Sequence, residues 1–304
     1  MSEAGDHPKR SGDRLRTIRH WLAWVVVTIA IAGGAVAFTN RDSGSDTSEP
    51  PGQRSPVSRA QPSSPQTSAS DSNLVPAGLA ECKQSEPDGP AFRLSFYDDF
   101  DEPTLNTTDW YAYDSVGNAE FGLRRPSALS TKGGQLVITA QMIDGVLVSG
   151  GMAHLAPQIY GRFEFRVRTD PDPSQATSGV VLTWPESGNW PVDGENDIYE
   201  TEEYASRNPF QSFIHYGESN EQEVVTHDAD GTEWHDMAMD WTRDRIAIYR
   251  DGELVGEVTN PKAIPEVPHQ LTIQLDAWEQ TMGDPVTMEV DSVRVYRWEE
   301  GGSC

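Results

Sequence analysis

The sequence has little of what many enzyme chemistries require. Only two cysteines occur in 304 residues, Cys82 and Cys304, and the seven histidines are scattered, so no zinc-ligand spacing can be drawn. No Gly-rich phosphate loop and no G-x-S-x-G nucleophile elbow is present. No stretch keeps a helical hydrophobic period between caps, which excludes a helix bundle or an alternating α/β design. Basic residues are scarce beyond residue 80, where 15 Lys/Arg face 41 Asp/Glu in a chain of formal charge -25. Such a field repels nucleic acid, anionic lipid and sulfated or uronate polymers, and it leaves neutral or cationic ligands. It also serves solubility.

The first 80 residues are nearly neutral, with 8 Lys/Arg and 7 Asp/Glu. Residues 1–20 are polar and end in a basic cluster, a segment expected to stay cytoplasmic. Residues 21–38 are apolar and uncharged. At ~1.5 Å per residue they reach ~27 Å, enough for a bilayer core. An uncleaved anchor and a signal peptide cut after Ala35-Val-Ala37 both fit, and both export the remainder of the chain. The protein is therefore expected outside the cell or at its surface, meeting the membrane only through this segment. Residues 39–80, rich in Ser, Pro, Gln, Asp and Gly, cannot bury enough surface to offset chain entropy and read as a disordered linker. In an oxidising compartment Cys82 and Cys304 can clasp the two ends of domain 81–304. Closing so long a loop is worth on the order of 5 kcal/mol, less strain. The alternative is a buried Cys82 and a frayed, free Cys304.

From about residue 90 the pattern becomes short alternating runs: Gln135–Gln141, Arg162–Arg168, Arg245–Arg250 and Val286–Asp291. Turn signals separate them, and Asp251-Gly252 between two such runs predicts a hairpin. Many short strands without intervening helices imply an all-β, antiparallel sandwich or barrel.

The most unusual stretch is Trp190-Pro-Val-Asp-Gly-Glu195-Asn-Asp197-Ile-Tyr-Glu200. On a strand Glu195 and Asp197 share a face, while plain alternation sends Glu200 to the other side. One inserted residue around Ile198-Tyr199, a β-bulge, returns Glu200 to the face of Glu195. Three carboxylates would then lie in a row, where they cannot all ionise cheaply. That suits a retaining glycosidase, which needs an ionised nucleophile and a protonated acid ~5–5.5 Å apart, a separation that a concave strand face permits. An acidic edge strand or a calcium-binding loop is the competing reading. Asp228-Ala-Asp230-Gly lacks the further ligands of a calcium loop and reads as a turn.

Glu195-Asn-Asp197-Ile-Tyr-Glu200 resembles the E-x-D-x-x-E motif of glycoside hydrolase family 16 in its bulged, laminarinase-like form. The resemblance runs in order from about 94 to 298, through Phe96–Asp101, Tyr160–Arg166, Trp190-Pro191, Glu233–Trp241, Tyr249–Gly252 and Asp291–Tyr296. It implies a concanavalin-like β-jelly roll of two curved sheets with a concave cleft for an extended polysaccharide. It further implies Glu195 as nucleophile, Asp197 as assisting carboxylate and Glu200 as acid/base, with no required cofactor. A structural calcium occurs in relatives, and Asp291 resembles one of its ligands. One position departs from the pattern: Asn196 stands where the family usually has Ile or Leu. It should face the core, where an amide needs hydrogen-bond partners.

Among the nine tryptophans, Trp190 beside the acidic strand is the first candidate for a sugar-stacking wall, followed by Trp184 and Trp278. Core packing is the ordinary alternative for each. His215, on the alternating run Phe213–Tyr216, is a candidate to border the cleft and to bind substrate hydroxyls or tune the acid, with an ordinary hydrogen-bonded histidine as the equal alternative. The expected activity is endo-acting, retaining hydrolysis of a neutral β-glucan, β-1,3-glucan first, by a monomer. The alternatives are a non-catalytic glycan-binding jelly roll, and a transglycosylase or galactan hydrolase of the same family.

Overall fold

A computed structural model describes residues 82–84, 89–201 and 204–302. The expected segments 1–20, 21–38 and 39–80 lie outside the described residues, as does Cys304. Cys82 is disulfide-bonded. Among the described residues no helix is long and apolar enough to cross a membrane.

The described residues form eighteen strands and two single-turn 3-10 helices. A front sheet contains β3 (Trp110–Ala112), β8 (Val146–His154), β10 (Thr177–Pro185), β11 (Glu195–Glu200), β12 (Phe210–Tyr216), β13 (Glu221–His227) and β17 (His269–Ala277). Its spatial order is β3–β8–β17–β10–β11–β12–β13, antiparallel throughout. A back sheet is built on β18 (Val286–Glu299), the longest strand. One side of β18 takes β2 (Ala91–Asp98) and then β7 (Leu136–Ile143). The other side takes β9 (Gly161–Thr169), followed outward by β14 (His235–Trp241), β15 (Ile246–Arg250) and β16 (Glu253–Val258). β1 (Cys82–Gln84) lies on β2, and β6 (Leu129–Thr131) on β7. The small pair β4 (Ser115–Val116) and β5 (Leu123–Arg124) leans on β8.

Strand β7 joins the layers, because its first half pairs with β18 and its last three residues pair with β8. At the opposite edge Gly256 on β16 lies so close to Val225 on β13 that a Cβ there would sit 2.4 Å from a Val225 methyl. The sandwich is thus closed along both edges into a near-barrel, which accounts for its curvature. Alternation supplies the filling: Val181, Ile198, Ile214, Leu271, Ile273 and Leu275 of the front sheet meet Phe163, Phe165, Val167, Met239, Ile248 and Val293 of the back. The expected all-β antiparallel sandwich is the observed one, and all four expected strands form. The Asp251-Gly252 hairpin is present with both residues at positive φ, 53° and 83°, as the right-handed strand twist favours.

Candidate active site

The acidic stretch forms β11, between β10 and β12 of the front sheet. The predicted bulge is there. Asp197 lies opposite Leu182 and Tyr199 opposite Val181, so Ile198 is the extra residue; against β12, Asp197 meets Phe213 while Glu200 meets Gln211. Ile198 and Tyr199 consequently both turn into the core. The Tyr199 hydroxyl donates to Gly231 O at 3.0 Å, fixing that inward turn. Ser212 Oγ donates to the bulge carbonyl of Ile198 at 2.7 Å, satisfying a backbone acceptor that the interrupted ladder leaves free. After the bulge Glu200 shares the open face with Glu195 and Asp197. A glycine positions the strand's start: Gly194 has φ 82°, and a Cβ there would lie 2.8 Å from Pro265.

All three carboxylates are buried, Glu195 and Asp197 at 3% exposure and Glu200 at 7%. His215, opposite Glu195 on β12, places Nε2 3.1 Å from Asp197 Oδ2. Its Nδ1 lies 2.8 Å from Asn220 Oδ1, which orients the ring. Trp190 Nε1 donates to Glu195 Oε2 at 2.6 Å, and Glu195 is also hydrogen-bonded to Asp197. Burial, and after it the Asp197 charge, push the Glu195 carboxyl well above its ordinary range; His215 and the Trp190 N–H oppose them. Burial disfavours the His215 cation, but the Asp197 hydrogen bond and charge, then Glu195, outweigh it and hold the ring up to about 9. His215 is therefore held as a cation at neutral pH, beside Asp197 and a Glu195 carboxyl that keeps its proton more tightly than usual.

Trp184 and Trp190 lie with ring planes 11° apart and centroids 6.4 Å apart, and Trp190 also meets the His215 ring at 6.1 Å. These two indoles belong to the carboxylate group. Trp278 does not. It follows β17 and donates its backbone N–H to Ala176 O, four residues along β10 from the level of Glu200 or roughly 13 Å at the strand rise. Asp291 lies on the back sheet, its Oδ1 3.5 Å from Gln135 Nε2. Among the described residues the one His/Cys/Asp/Glu group of metal-binding proximity is Glu195, Asp197 and His215, so Asp291 has no such partners.

Sequence reasoning missed a second polar group on the same face. Thr272 and Gln274 of β17 lie in register with Leu182 and Val180, hence with Asp197 and Glu200. Arg124 donates from Nε and Nη2 to Asp276 Oδ1 at 2.9 and 2.6 Å, and Gln274 Nε2 donates to Asp276 Oδ2 at 2.8 Å. The signal was present, since Gln270, Thr272, Gln274 and Asp276 alternate with Leu271, Ile273 and Leu275. A strand with a polar outer row is common, however, and nothing local marks this row as facing carboxylates more than seventy positions away.

A curved all-β scaffold that sets buried paired carboxylates beside indoles and an imidazolium has the make-up of a glycoside hydrolase. The sequence profile of the glycosyl hydrolases family 16 matches residues 123–293, more than half of the chain, and the protein belongs to that family. No curated protein sequence matches it. Its fold is similar to that of an endo-β-1,3-glucanase from Pyrococcus furiosus, at TM-score 0.61 and 20% identity over 72% of this chain and 98% of that one. The laminarinase from Rhodothermus marinus gives TM-score 0.60 and 22% identity over 69% and 99% of the respective chains. A Z. galactanivorans protein crystallised with laminaritriose and laminaritetraose gives 0.57 and 20%, over 67% and 98%. At these identities the likeness is one of fold.

Proposed function

We propose that the protein is an endo-acting, retaining glycoside hydrolase that cleaves a neutral β-glucan, β-1,3-glucan first, by double displacement. The bulge at Ile198 carries this reading, because without it Glu195 and Glu200 would face opposite sides of the sheet. Glu200 protonates the glycosidic oxygen as Glu195 attacks the anomeric carbon; Glu200 then takes a proton from water, which releases the sugar with retained configuration. Attack requires Glu195 as a carboxylate. His215 and the Trp190 N–H stabilise that charge on Glu195. Glycosyl transfer to the enzyme spends that charge, and its return on hydrolysis meets the same preset donors.

Substrate choice is supported by charge and by the activities of proteins with a similar fold. The strongly acidic segment beyond residue 80 disfavours sulfated and uronate chains, and relatives of this fold include laminarinases and an endo-β-1,3-glucanase. Trp184 and Trp190 offer indole surface for pyranose C–H faces. We place the enzyme outside the cell or at its surface, exported through residues 21–38. Reducing-end release from laminarin, mixed-linkage glucan, galactan and carrageenan tests the proposal, with the anomer followed by NMR in the first minutes. Laminarin hydrolysis giving the β-anomer is expected. Binding to laminarin without release of any reducing end would leave a glycan-binding module instead.

A further inference from the structure

Asn196, the position that departs from the family's pattern, is fully buried behind β11 and takes part in a chain of polar contacts that leaves the strand. Its Nδ2 donates to Thr183 Oγ1 at 2.8 Å; Thr183 Oγ1 lies 3.1 Å from His269 Nδ1; His269 Nε2 lies 3.0 Å from Asp193 O. Asp193 belongs to the loop 186–194 that carries Trp190, whose indole donates to Glu195. The loop closes on itself through Asp193 N to Asn189 O and Ser187 Oγ to Asp193 Oδ2, at 3.0 and 2.6 Å. A hold on Asp193 is therefore a hold on Trp190.

The direction of the chain follows from donor and acceptor inventory. Burial lowers His269 to about 4, so at neutral pH the ring has one N–H and one lone pair. Asp193 O can only accept, so Nε2 carries the hydrogen. Nδ1 is then an acceptor, and the Thr183 hydroxyl must donate to it while accepting from Asn196. The opposite tautomer would set an Nε2 lone pair against Asp193 O and leave the Thr183 hydroxyl without this acceptor. In the chosen tautomer the 3.2 Å approach of Nδ1 to Thr183 O is the one unfavourable contact. The series needs Asn196 at its start, since an aliphatic residue there would free the hydroxyl to turn.

We propose that Asn196, Thr183 and His269 are positioning residues that lock the Trp190 loop so that its indole N–H stays on Glu195. The catalytic consequence rests on the reading of Glu195 as nucleophile, whereas the relay itself does not. Glu195 is faced by Asp197 on its own strand, His215 on β12, Trp190 in the loop, and Arg124 from the β4–β5 pair. Loss of the indole donor raises the Glu195 carboxyl further and shifts the acid limb of kcat/KM to higher pH.

The test uses the full chain with ¹⁵N-labelled His and Trp, and laminarin for kinetics. In the wild type we expect His269 as the Nε2–H tautomer and a strongly downfield Trp190 indole N–H. Asn196→Leu and Thr183→Val should each move the indole resonance upfield and raise the acid limb. Each should also lower kcat by roughly 10-fold or more with KM little changed, while Thr183→Ser restores all three readouts. On a Trp190→Phe background Asn196→Leu should add no further shift of the limb. A wild-type Nδ1–H tautomer, or an unmoved indole resonance in both variants, overturns the relay even if no polysaccharide is cleaved. A moved resonance with an unmoved pH profile overturns its link to Glu195. If Thr183→Val does not fold, Asn196→Leu decides alone.

Discussion

His215 Nε2 lies 3.1 Å from Asp197 Oδ2, so the carboxylate beside the candidate nucleophile is matched by a buried cation. Without that cation two acidic groups would share a site nearly closed to water, where like charges cannot both persist. His215→Gln should therefore raise the Glu195 carboxyl and move the acid limb of kcat/KM upward. The alkaline limb, which the general acid Glu200 sets in the proposed mechanism, should stay in place. Initial rates from about pH 4 to pH 10 measure both limbs. A profile that keeps both limbs in place would mean that His215 does not govern the pair.

The two glutamates differ in what an exogenous nucleophile can replace. Glu200→Gln should cost roughly 10²–10⁴-fold in kcat on laminarin, with less loss on an aryl glycoside whose leaving group needs no proton. Glu195→Gly should be inactive with water yet form an inverted glycosyl azide when azide is added, since azide attacks the face left open. Product NMR reads the configuration. Azide rescue of Glu200→Gln by an inverted product would reverse the assignment.

Ser212 supports the bulge from the neighbouring strand. Ser212→Ala removes the donor to Ile198 O and leaves His227 Nε2, 2.8 Å from the hydroxyl, without that partner. The expected cost is ~1–3 kcal/mol in urea unfolding, the range for a buried group left unsatisfied. Activity should fall as well, because the bulge sets the side on which Glu200 emerges. An unchanged urea midpoint would show that the bulge does not depend on Ser212.

Three buried histidines make the fold acid-sensitive. Burial lowers His154, His227 and His269 to about 4 each. A depressed value means that the folded state binds fewer protons than the unfolded chain, whose histidines titrate near ~6.5. The stabilisation is fully present above ~6.5 and is lost as pH falls from there toward ~4, at on the order of 3 kcal/mol for each ring. Calorimetric Tm should fall across that interval. The decline should be smaller in His154→Phe, a ring replacement among the aromatic neighbours Phe96 and Trp110. A flat Tm over the same interval would contradict these assignments.

Much of the architecture was legible because alternation is a local property. Each of the four predicted runs forms a strand, and Asp251-Gly252 turns as its φ preferences require. The bulge was legible for a different reason: three acidic residues in a six-residue strand make sense on one face only if a residue is inserted between them. Trp278 shows the limit. Its sequence gives no hint that it lies beyond the end of the carboxylate row, since its place depends on β17 pairing with β10, a strand about a hundred positions earlier.

Sequence alone determined the period of the strands, the turn residues, the acidic excess and the E-x-D-x-x-E spacing, all of which act over a few neighbouring residues. Only the tertiary structure decided that Trp190 donates to the carboxylate five positions away, that Asp197 faces an imidazolium, and that Asn196 finds a hydroxyl across the sheet. Those relationships depend on registers between strands and on burial. Burial strengthens each charge and hydrogen bond by excluding water, and it exists only once the sheets have closed.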